Sequence, residues 1–200
     1  MAASKTRPGP SLSFLGVAGS LRESSYNRGL IRAAMELAPA GLTVIPYDLA
    51  AIPMFNADVE ADGDPPAVAD FKRAIAGADA LLIATPEYNH CVPGVLKNAI
   101  DWASRPARRS VLTNKPVAIM GASTGRGATA RAQAHLREGL TYTNGLVLPL
   151  PEVLVDLAGG RFDDDGTLTD EDTKDEVRDL LVSLSAWTRR MQRSADAAAS

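Results

Sequence analysis

Polar side chains crowd into one short stretch that separates an apolar run from a helical pattern. This stretch reads GSLRESSYN and spans residues 19–27. The free N–H groups and the dipole at the start of a helix attract anions, and an arginine guanidinium matches the geometry of a phosphate. We therefore predict a phosphate-binding loop, while capping of the helix by a single Ser or Asn is the alternative. The residues that would supply donors are Ser20, Arg22, Ser24, Ser25 and Asn27.

Two further loops of unusual composition follow apolar runs later in the chain. The segment TPEYNHCVPG spans 85–94 and can present backbone amides to a flat heteroaromatic ring, with Pro86 and Tyr88 as ring surfaces. A plain turn explains this segment equally well, because Pro, Asn and Gly favour turns. The segment GASTGRGAT spans 121–129 and allows close approach of its backbone, and a flexible turn is again an equal alternative.

Apolar runs alternate with segments of helical periodicity, which predicts a single α/β domain with a parallel sheet and right-handed crossovers. We assign residues 11–192 to this domain and predict loose tails at 1–10 and 193–200, because both ends lack periodicity. The predicted strands are 12–18, 42–48, 78–85, 116–122 and 145–151. The predicted helices begin at Tyr26, after Pro65–Pro66, at Pro93, at residue 127 and after Thr169, which is the predicted N-cap of the last helix.

All three polar loops belong at one edge of this predicted sheet. Ligands of such sheets bind beyond the carboxyl ends of the strands, near the point where the strand order reverses. The loop at 19–27 has neither a G-x-G-x-x-G motif nor the lysine of a Walker loop, which excludes those two binding modes. One loop for a phosphate, one for a planar ring and one to close the far side suit a mononucleotide, and FMN is the leading candidate.

Composition excludes several other classes of protein. The 200 residues carry a formal net charge of −3, which argues against a nucleic-acid partner. No apolar segment approaches the roughly 20 residues that span a bilayer, and the first residues lack the apolar core of a signal peptide. The one cysteine, Cys91, permits no internal disulfide. We expect a soluble cytoplasmic protein with neither a nucleic-acid nor a membrane partner.

Three stretches resemble the NADPH-dependent FMN reductase family, flavodoxin-like enzymes that include chromate, quinone and azo reductases. They read GSLRESSYN at 19–27, PEYNHCVPGVLKNAIDW at 86–102 and GASTGRGATARAQAHLR at 121–137. The resemblance runs from Leu12 to about Arg190, and the second stretch is the most specific part of it. This chain has Cys91 where relatives often carry Ser.

The resemblance implies a three-layer α/β sandwich with a five-stranded parallel sheet in the order 2-1-3-4-5. FMN would lie at the carboxyl edge, and the protein would form a homodimer or a homotetramer. The FMN phosphate would be held by Ser20, Arg22, Ser25, Tyr26 and Asn27. The isoalloxazine ring would be lined by Pro86, Glu87, Tyr88 and Asn89, and its other side would be closed by Ser123, Thr124 and Gly125.

The same resemblance implies an NAD(P)H-dependent oxidoreductase. Hydride would pass from NADPH or NADH to FMN, and then to a quinone, an azo compound, a free flavin or a metal oxyanion such as chromate. The chemistry belongs to N5 of the flavin, so no catalytic side chain is expected. Two alternatives stay open on the same fold. They are a flavodoxin-type electron carrier and a non-flavin nucleoside-processing enzyme with Glu87 as its nucleophile.

Several other reactive side chains are explained without a catalytic role. His90 and His135 are too few for a metal site, and Cys91 is interpreted as a passive loop residue. The acidic segment 161–172 is similar to a calcium loop but places Arg161 at the first ligand position, so we expect no metal. A basic turn can either contact the 2′-phosphate of NADPH or simply be solvated. Its residues are Arg105, Arg108 and Arg109.

Overall fold

A parallel β-sheet forms the centre of the computed structural model, which describes residues 11–199 and the side chains of residues 11–197. Its strands are β1 (Leu12–Ala18), β2 (Leu42–Tyr47), β3 (Ala80–Ala84), β4 (Pro116–Ala122), β5 (Leu146–Val147) and β6 (Val153–Val155). They follow the order β2-β1-β3-β4-β5, and β6 also pairs with β4. The predicted order 2-1-3-4-5 is confirmed. The predicted tail at 1–10 lies outside the described residues.

The predicted fifth strand is divided into two short strands. β5 pairs with the beginning of β4, and β6 pairs with its end. Pro149 and Pro151 lie between them, and proline has no N–H to donate to the ladder. Because β6 resumes the pairing, the sheet edge reaches the carboxyl end of β4, where Ser123 N–H donates to Val155 O at 3.0 Å.

Helices cover both faces of the sheet. They are α1 (Tyr26–Glu36), α2 (Ala57–Ala61), α3 (Pro66–Gly77), α4 (Gly94–Ala103), α5 (Ala130–Tyr142) and α6 (Glu171–Ala199), with a 3₁₀ turn at Ala158–Gly160. α1 and α6 pack on one face, whereas α3, α4 and α5 pack on the other. The central strands are therefore buried on both sides, which explains their unbroken apolar runs. No helix among the described residues is both long and apolar enough to cross a membrane.

Alternate residues of each central strand enter different cores, one on each side of the sheet. Phe14 of β1 and Met120 of β4 belong to the core beneath α1 and α6. Leu15 belongs to the opposite core, together with the fully buried Trp102 of α4. The Trp102 indole N–H donates to Pro53 O at 2.8 Å. Trp102 is thus a core residue.

The last helix differs from its prediction at both ends. Asp170 rather than Thr169 precedes it, and Asp170 Oδ1 accepts a hydrogen bond from the N–H of Thr173 at 2.9 Å. The helix then continues to Ala199, whereas a loose tail is predicted from residue 193. Four of the residues in 193–199 are alanines, the strongest helix formers. Helix propensity therefore extends α6 where no hydrophobic periodicity marks it.

Two helical glycines should respond oppositely to the same substitution. A Cβ at Gly29 in α1 would lie 2.2 Å from Gly166 O, whereas a Cβ at Gly139 in α5 would meet nothing within 4 Å. We expect Gly29→Ala to lower the free energy of unfolding by about 1–3 kcal/mol, because the backbone must move. Gly139→Ala should raise it by roughly 0.5–1 kcal/mol through helix propensity. Urea denaturation measures both changes, and a stabilised Gly29→Ala would contradict the close packing of α1.

Candidate functional site

Three loops follow adjacent strands at the carboxyl edge of the sheet. We call residues 19–25 the first loop, 85–93 the second loop and 123–129 the third loop. The N–H of Gly19 donates to Ala84 O at 2.8 Å, and the N–H of Thr85 donates to Met120 O at 2.9 Å. Each loop therefore begins beside its neighbour, and the structure brings together the segments that the sequence predicts to share one edge.

Two serines line the base of the first loop. Ser20 and Ser25 are each 3% exposed. Ser25 is the N-cap of α1, and its Oγ accepts a hydrogen bond from the N–H of Asn27 at 3.2 Å. Ser20 Oγ accepts a long hydrogen bond from the N–H of Arg22 at 3.4 Å. Ser25 alone performs the capping, so capping does not explain the other polar groups of this loop.

The guanidinium of Arg22 is restrained on the outer side of the first loop. Its Nη1 donates to Ser24 Oγ at 2.6 Å, and its Cζ lies 5.5 Å from the centre of the Tyr26 ring. The Tyr26 ring in turn packs against Phe162, with 4.9 Å between ring centroids. A guanidinium has five N–H donors, so Arg22 keeps donors beyond the one that it gives to Ser24. Glu23, the carboxylate of this loop, is exposed.

The Asn27 side chain is engaged by the backbone at the end of β4, and its predicted contact with the phosphate stays untested. Its side chain is 2% exposed. Nδ2 donates to Ala122 O at 2.9 Å, and Oδ1 accepts from the Ala122 N–H at 3.0 Å. One side chain thereby satisfies both backbone groups at the end of β4 and fixes the start of α1 to the start of the third loop. The predicted phosphate role of the Asn27 side chain is therefore not supported by its contacts.

The second loop is a tight hairpin. Tyr88 and Cys91 pair as an antiparallel bridge, and the two residues between them, Asn89 and His90, have φ angles of 51° and 62°. Two consecutive left-handed residues are typical of a two-residue hairpin turn, which asparagine favours. Tyr88 is 52% exposed, and its hydroxyl lies 3.4 Å from Ser20 Oγ. The hairpin therefore projects beside the first loop, with Pro86 buried at its base.

Glu87 joins the second loop to the helix that follows the third loop. Its Oε2 accepts hydrogen bonds from the N–H groups of Arg131 and Ala132, both at 3.0 Å, in the first turn of α5. The residue that precedes α5, Thr129, makes no capping hydrogen bond through its side chain. The Glu87 side chain, 8% exposed, therefore caps α5 and complements its dipole. A carboxylate so engaged is unsuited to act as a free nucleophile.

The backbone of the third loop is accessible from solvent. Thr124 and Gly125 are exposed, and Ser123 is half-buried. Gly125 N–H donates to Ser123 Oγ at 3.2 Å. Apart from its chain neighbours, a Cβ at Gly125 or at Gly127 would meet no atom closer than 3.7 Å, so these positions border free space. A planar ring can approach this backbone closely.

One arginine of the basic turn, Arg105, already forms an ion pair. Arg105 Nε lies 2.8 and 2.9 Å from the two carboxylate oxygens of Glu60. Arg108 and Arg109 are exposed. The contact with a 2′-phosphate therefore stays a prediction for Arg108 and Arg109 and loses support for Arg105.

Arg161, at the start of the acidic segment after β6, forms ion pairs with two aspartates. Arg161 Nη1 and Nη2 lie 2.9 and 3.1 Å from carboxylate oxygens of Asp170 and Asp156. The Thr173 side chain and N–H donate to Asp170, and together with Arg161 they hold the pKa of Asp170 below its ordinary value. Within the part of the chain that the structure describes, no three His, Cys, Asp or Glu side chains gather as metal ligands.

The donor set of the three loops fits FMN. The first loop offers serine hydroxyls, a guanidinium and the N-terminal N–H groups of α1, the groups that bind phosphate. The second and third loops offer a tyrosine ring and unobstructed glycine backbone, which suit a flat ring system. Three ties join these loops: the contacts of Tyr88 with Ser20, of Glu87 with α5 and of Asn27 with Ala122. The donors suited to a phosphate and the surfaces suited to a flat ring therefore belong to one connected set of loops.

Comparison with known proteins agrees with this geometry. The sequence profile of NADPH-dependent FMN reductases matches residues 12–160. The chain belongs to the NADPH-dependent FMN reductase family. An NAD(P)H-dependent FMN reductase of Pseudomonas aeruginosa is 46% identical over 181 residues, which cover 90% of this chain and 97% of that protein. A 2-hydroxy-1,4-benzoquinone reductase of Burkholderia sp. is 42% identical over 173 residues, which cover 86% and 94% of the two chains.

A solved structure confirms the flavodoxin-like fold of this FMN reductase family member. FerB from Paracoccus denitrificans, a flavoenzyme NAD(P)H:(acceptor) oxidoreductase, superposes with a TM-score of 0.82 at 33% sequence identity. The match covers 90% of this chain and 98% of FerB. The enzyme class predicted from the sequence is thereby confirmed, whereas the contacts of individual site residues stay predictions.

Removing the Glu87 carboxylate should destabilise the folded protein. We expect Glu87→Ala to lower the free energy of unfolding by about 1–3 kcal/mol, because two N–H groups of α5 lose a charged acceptor. Glu87→Gln retains an acceptor oxygen and should lose less. Glu138→Ala removes an exposed glutamate of the same helix and should change stability by no more than about 0.5 kcal/mol. Urea denaturation compares the three variants, and equal stability of Glu87→Ala and Glu138→Ala would contradict the cap.

Proposed function

We propose that this protein is an FMN-dependent NAD(P)H oxidoreductase whose acceptors are quinones. The observation that carries the proposal is the tied arrangement of three loops, with phosphate-binding groups at one end and open ring-binding surface at the other. Family membership and the quinone-reducing relative from Burkholderia sp. support the choice of acceptor. Azo compounds, free flavins and metal oxyanions such as chromate are the other acceptors that the proposal allows.

We assign the phosphate to the first loop. Ser20, Arg22 and Ser25 would donate to it from three sides, and Tyr26 would support Arg22 through its ring. Asn27 would contribute indirectly, because its side-chain amide fixes the start of α1 relative to Ala122. The assignment leaves a cation and hydroxyl donors facing the anion, with the exposed Glu23 turned to solvent.

We assign the isoalloxazine ring to the space between the second and third loops. Tyr88 and Asn89 of the hairpin would line one side, and Pro86 and Glu87 would hold that hairpin rigid. Ser123, Thr124 and Gly125 would close the other side, where Gly125 has no Cβ to obstruct the approach of the ring.

The protein's part in the reaction is to position the bound flavin and to shield it from solvent. A bound flavin supplies the redox chemistry, the acceptance of hydride from a nicotinamide and its delivery to an acceptor. The hairpin and the third loop orient the ring, and the first loop anchors it through the phosphate. No side chain of these loops needs to exchange a proton in the first half-reaction.

The two alternative functions fare differently. A nucleoside-processing enzyme with Glu87 as its nucleophile is disfavoured, because both N–H donors of α5 engage that carboxylate. A flavodoxin-type electron carrier shares the fold and the cofactor, so only catalytic oxidation of NAD(P)H separates it from the reductase.

We also propose that the reductase acts on small molecules as a cytoplasmic homodimer or homotetramer, without a nucleic-acid or membrane partner. Exposed apolar side chains beside α4 favour self-association. Met54 is 76% exposed, and Phe55 and Val59 lie on the same segment. The net charge of −3 disfavours nucleic acid. The single cysteine requires no oxidising compartment.

A visible spectrum tests the proposed function. The purified protein, supplied with FMN and freed of excess, should be yellow and should bleach on anaerobic addition of NADPH. A quinone added afterwards should restore the colour and then support continuous NADPH oxidation. Glu87→Gln should retain this turnover, because the carboxylate is not a reactant. Colour that persists after NADPH would favour the electron carrier, and a protein that takes up no FMN would contradict the proposal.

A further inference from the structure

An arginine stands at the tip of the third loop. The N–H of Ala128 donates to Gly125 O at 3.2 Å and closes a turn that has Arg126 and Gly127 at its tip. Arg126 is exposed, and among the described residues its side chain forms neither a hydrogen bond nor an ion pair. All five N–H donors of its guanidinium are therefore available to a ligand that arrives from solvent.

A second arginine, Arg131, places its guanidinium beside both the second and the third loop. Its Nη1 lies 3.7 Å from Glu87 Oε1 of the second loop. The same Nη1 would lie 3.7 Å from a Cβ placed on Gly127 of the third loop. The Arg131 side chain is 57% exposed. An accessible cation therefore borders the space that the proposed function assigns to the isoalloxazine ring.

Nearby carboxylates offset these two positive charges only in part. Glu87 Oε2 accepts hydrogen bonds from two N–H groups of α5 at 3.0 Å, whereas Oε1 is 3.7 Å from Arg131. Asp156, the residue that follows β6, pairs with Arg161 at 3.1 Å. Arg105 of the basic turn, by contrast, is paired with a carboxylate at 2.8 Å. The third loop therefore carries positive charge in a protein whose formal net charge is −3.

Helix electrostatics do not explain an arginine at position 131. The free N–H groups give the start of a helix a partial positive charge, so a basic side chain in the first turn is unfavourable. Arg131 is the second residue of α5, and its charge adds to that of the helix start. Glu87 supplies one negative charge against this sum. A local field of this sign attracts anions and raises their concentration near the surface.

We propose that Arg126 and Arg131, which we call the cationic rim, make the reductase prefer acceptors that carry a negative charge. The inference rests on the proposed function and favours, among its acceptors, sulfonated or carboxylated quinones and azo compounds and oxyanions such as chromate. The rim would speed the encounter of such an acceptor with the ring site, because opposite charges steer association. The electrons still come from NAD(P)H through the flavin, so the rim selects the acceptor and leaves the redox step as it is.

Two quinones that differ by one sulfonate test this preference. The FMN-loaded protein, reduced photochemically without oxygen, would be mixed with 1,4-naphthoquinone or with 1,4-naphthoquinone-2-sulfonate, and stopped-flow absorbance gives each rate constant of re-oxidation. No nicotinamide is present, so effects on NADPH binding do not enter. In the double variant Arg126→Gln/Arg131→Gln, the ratio of the sulfonate to the neutral rate constant should fall about fivefold or more. Raising the salt from about 0.01 M to about 0.15 M should lower the same ratio in the wild-type protein.

Three further variants separate charge from structure. Arg126→Lys/Arg131→Lys keeps both charges and should keep the ratio. Arg190→Gln removes an exposed arginine of α6, close to Gln192, which bonds Asp79 before β3 at the opposite edge of the sheet, and should leave the ratio as it is. Arg126→Gln alone has no side-chain contact to lose and should lower the ratio about twofold. The single variant therefore decides the matter even when the double variant fails to fold.

Equilibrium binding supplies a readout that needs no turnover. Naphthalene-2-sulfonate accepts no electrons from a flavin, and isothermal titration into the oxidised holoprotein should show tighter binding than for 2-naphthol. The double Gln variant should lose this difference.

Two failures can be told apart. Equal affinities for the two naphthalene probes in the wild-type protein, or an unchanged ratio of rate constants in the Gln variants, would overturn the inference and leave the reductase function in place. If neither quinone re-oxidises the reduced protein, the proposed function is wrong and the inference is wrong with it.

Discussion

A single buried amide, Asn27, holds the two ends of the site together. It bonds both the N–H and the C=O of Ala122, a residue 95 positions away. Leaving two buried backbone groups unpaired would cost about 1–3 kcal/mol for each group. The start of α1 and the start of the third loop are therefore fixed relative to each other, so a ligand that touches both finds their separation already set.

The other ties extend the same principle to the second loop. Glu87 uses the otherwise uncapped start of α5 as its partner, and the Tyr88 hydroxyl meets Ser20. None of the three loops is regular, yet hydrogen bonds tie them to their neighbours. Under the proposed function, these loops would position the flavin, and the exposed tips of the loops would contact the acceptor.

The fold could be predicted from the sequence because its central strands are covered on both faces. β1, β3 and β4 are unbroken apolar runs, and their order follows from the family resemblance. The pair β5 and β6 could not be separated in advance, because one apolar run with two prolines leaves the point of interruption open. That Ser20, Arg22 and Ser25 precede a helix could be predicted from the sequence, and their contact with a phosphate stays a prediction. The positioning roles of Asn27 and Glu87 could not be predicted, because their partners are backbone groups. Residue types do not indicate which backbone groups will lie close to a side chain.

Binding of FMN at the proposed site depends on recognition of the phosphoryl group at the start of α1, and a comparison of FMN with riboflavin measures that recognition directly. Isothermal titration of the cofactor-free protein should give an affinity for FMN at least about 100-fold higher than for riboflavin, because charge-assisted hydrogen bonds contribute about 1.5–3 kcal/mol each. In Arg22→Ala the difference between the two ligands should narrow by about tenfold or more. Equal affinities for FMN and riboflavin in the wild-type protein would contradict the account.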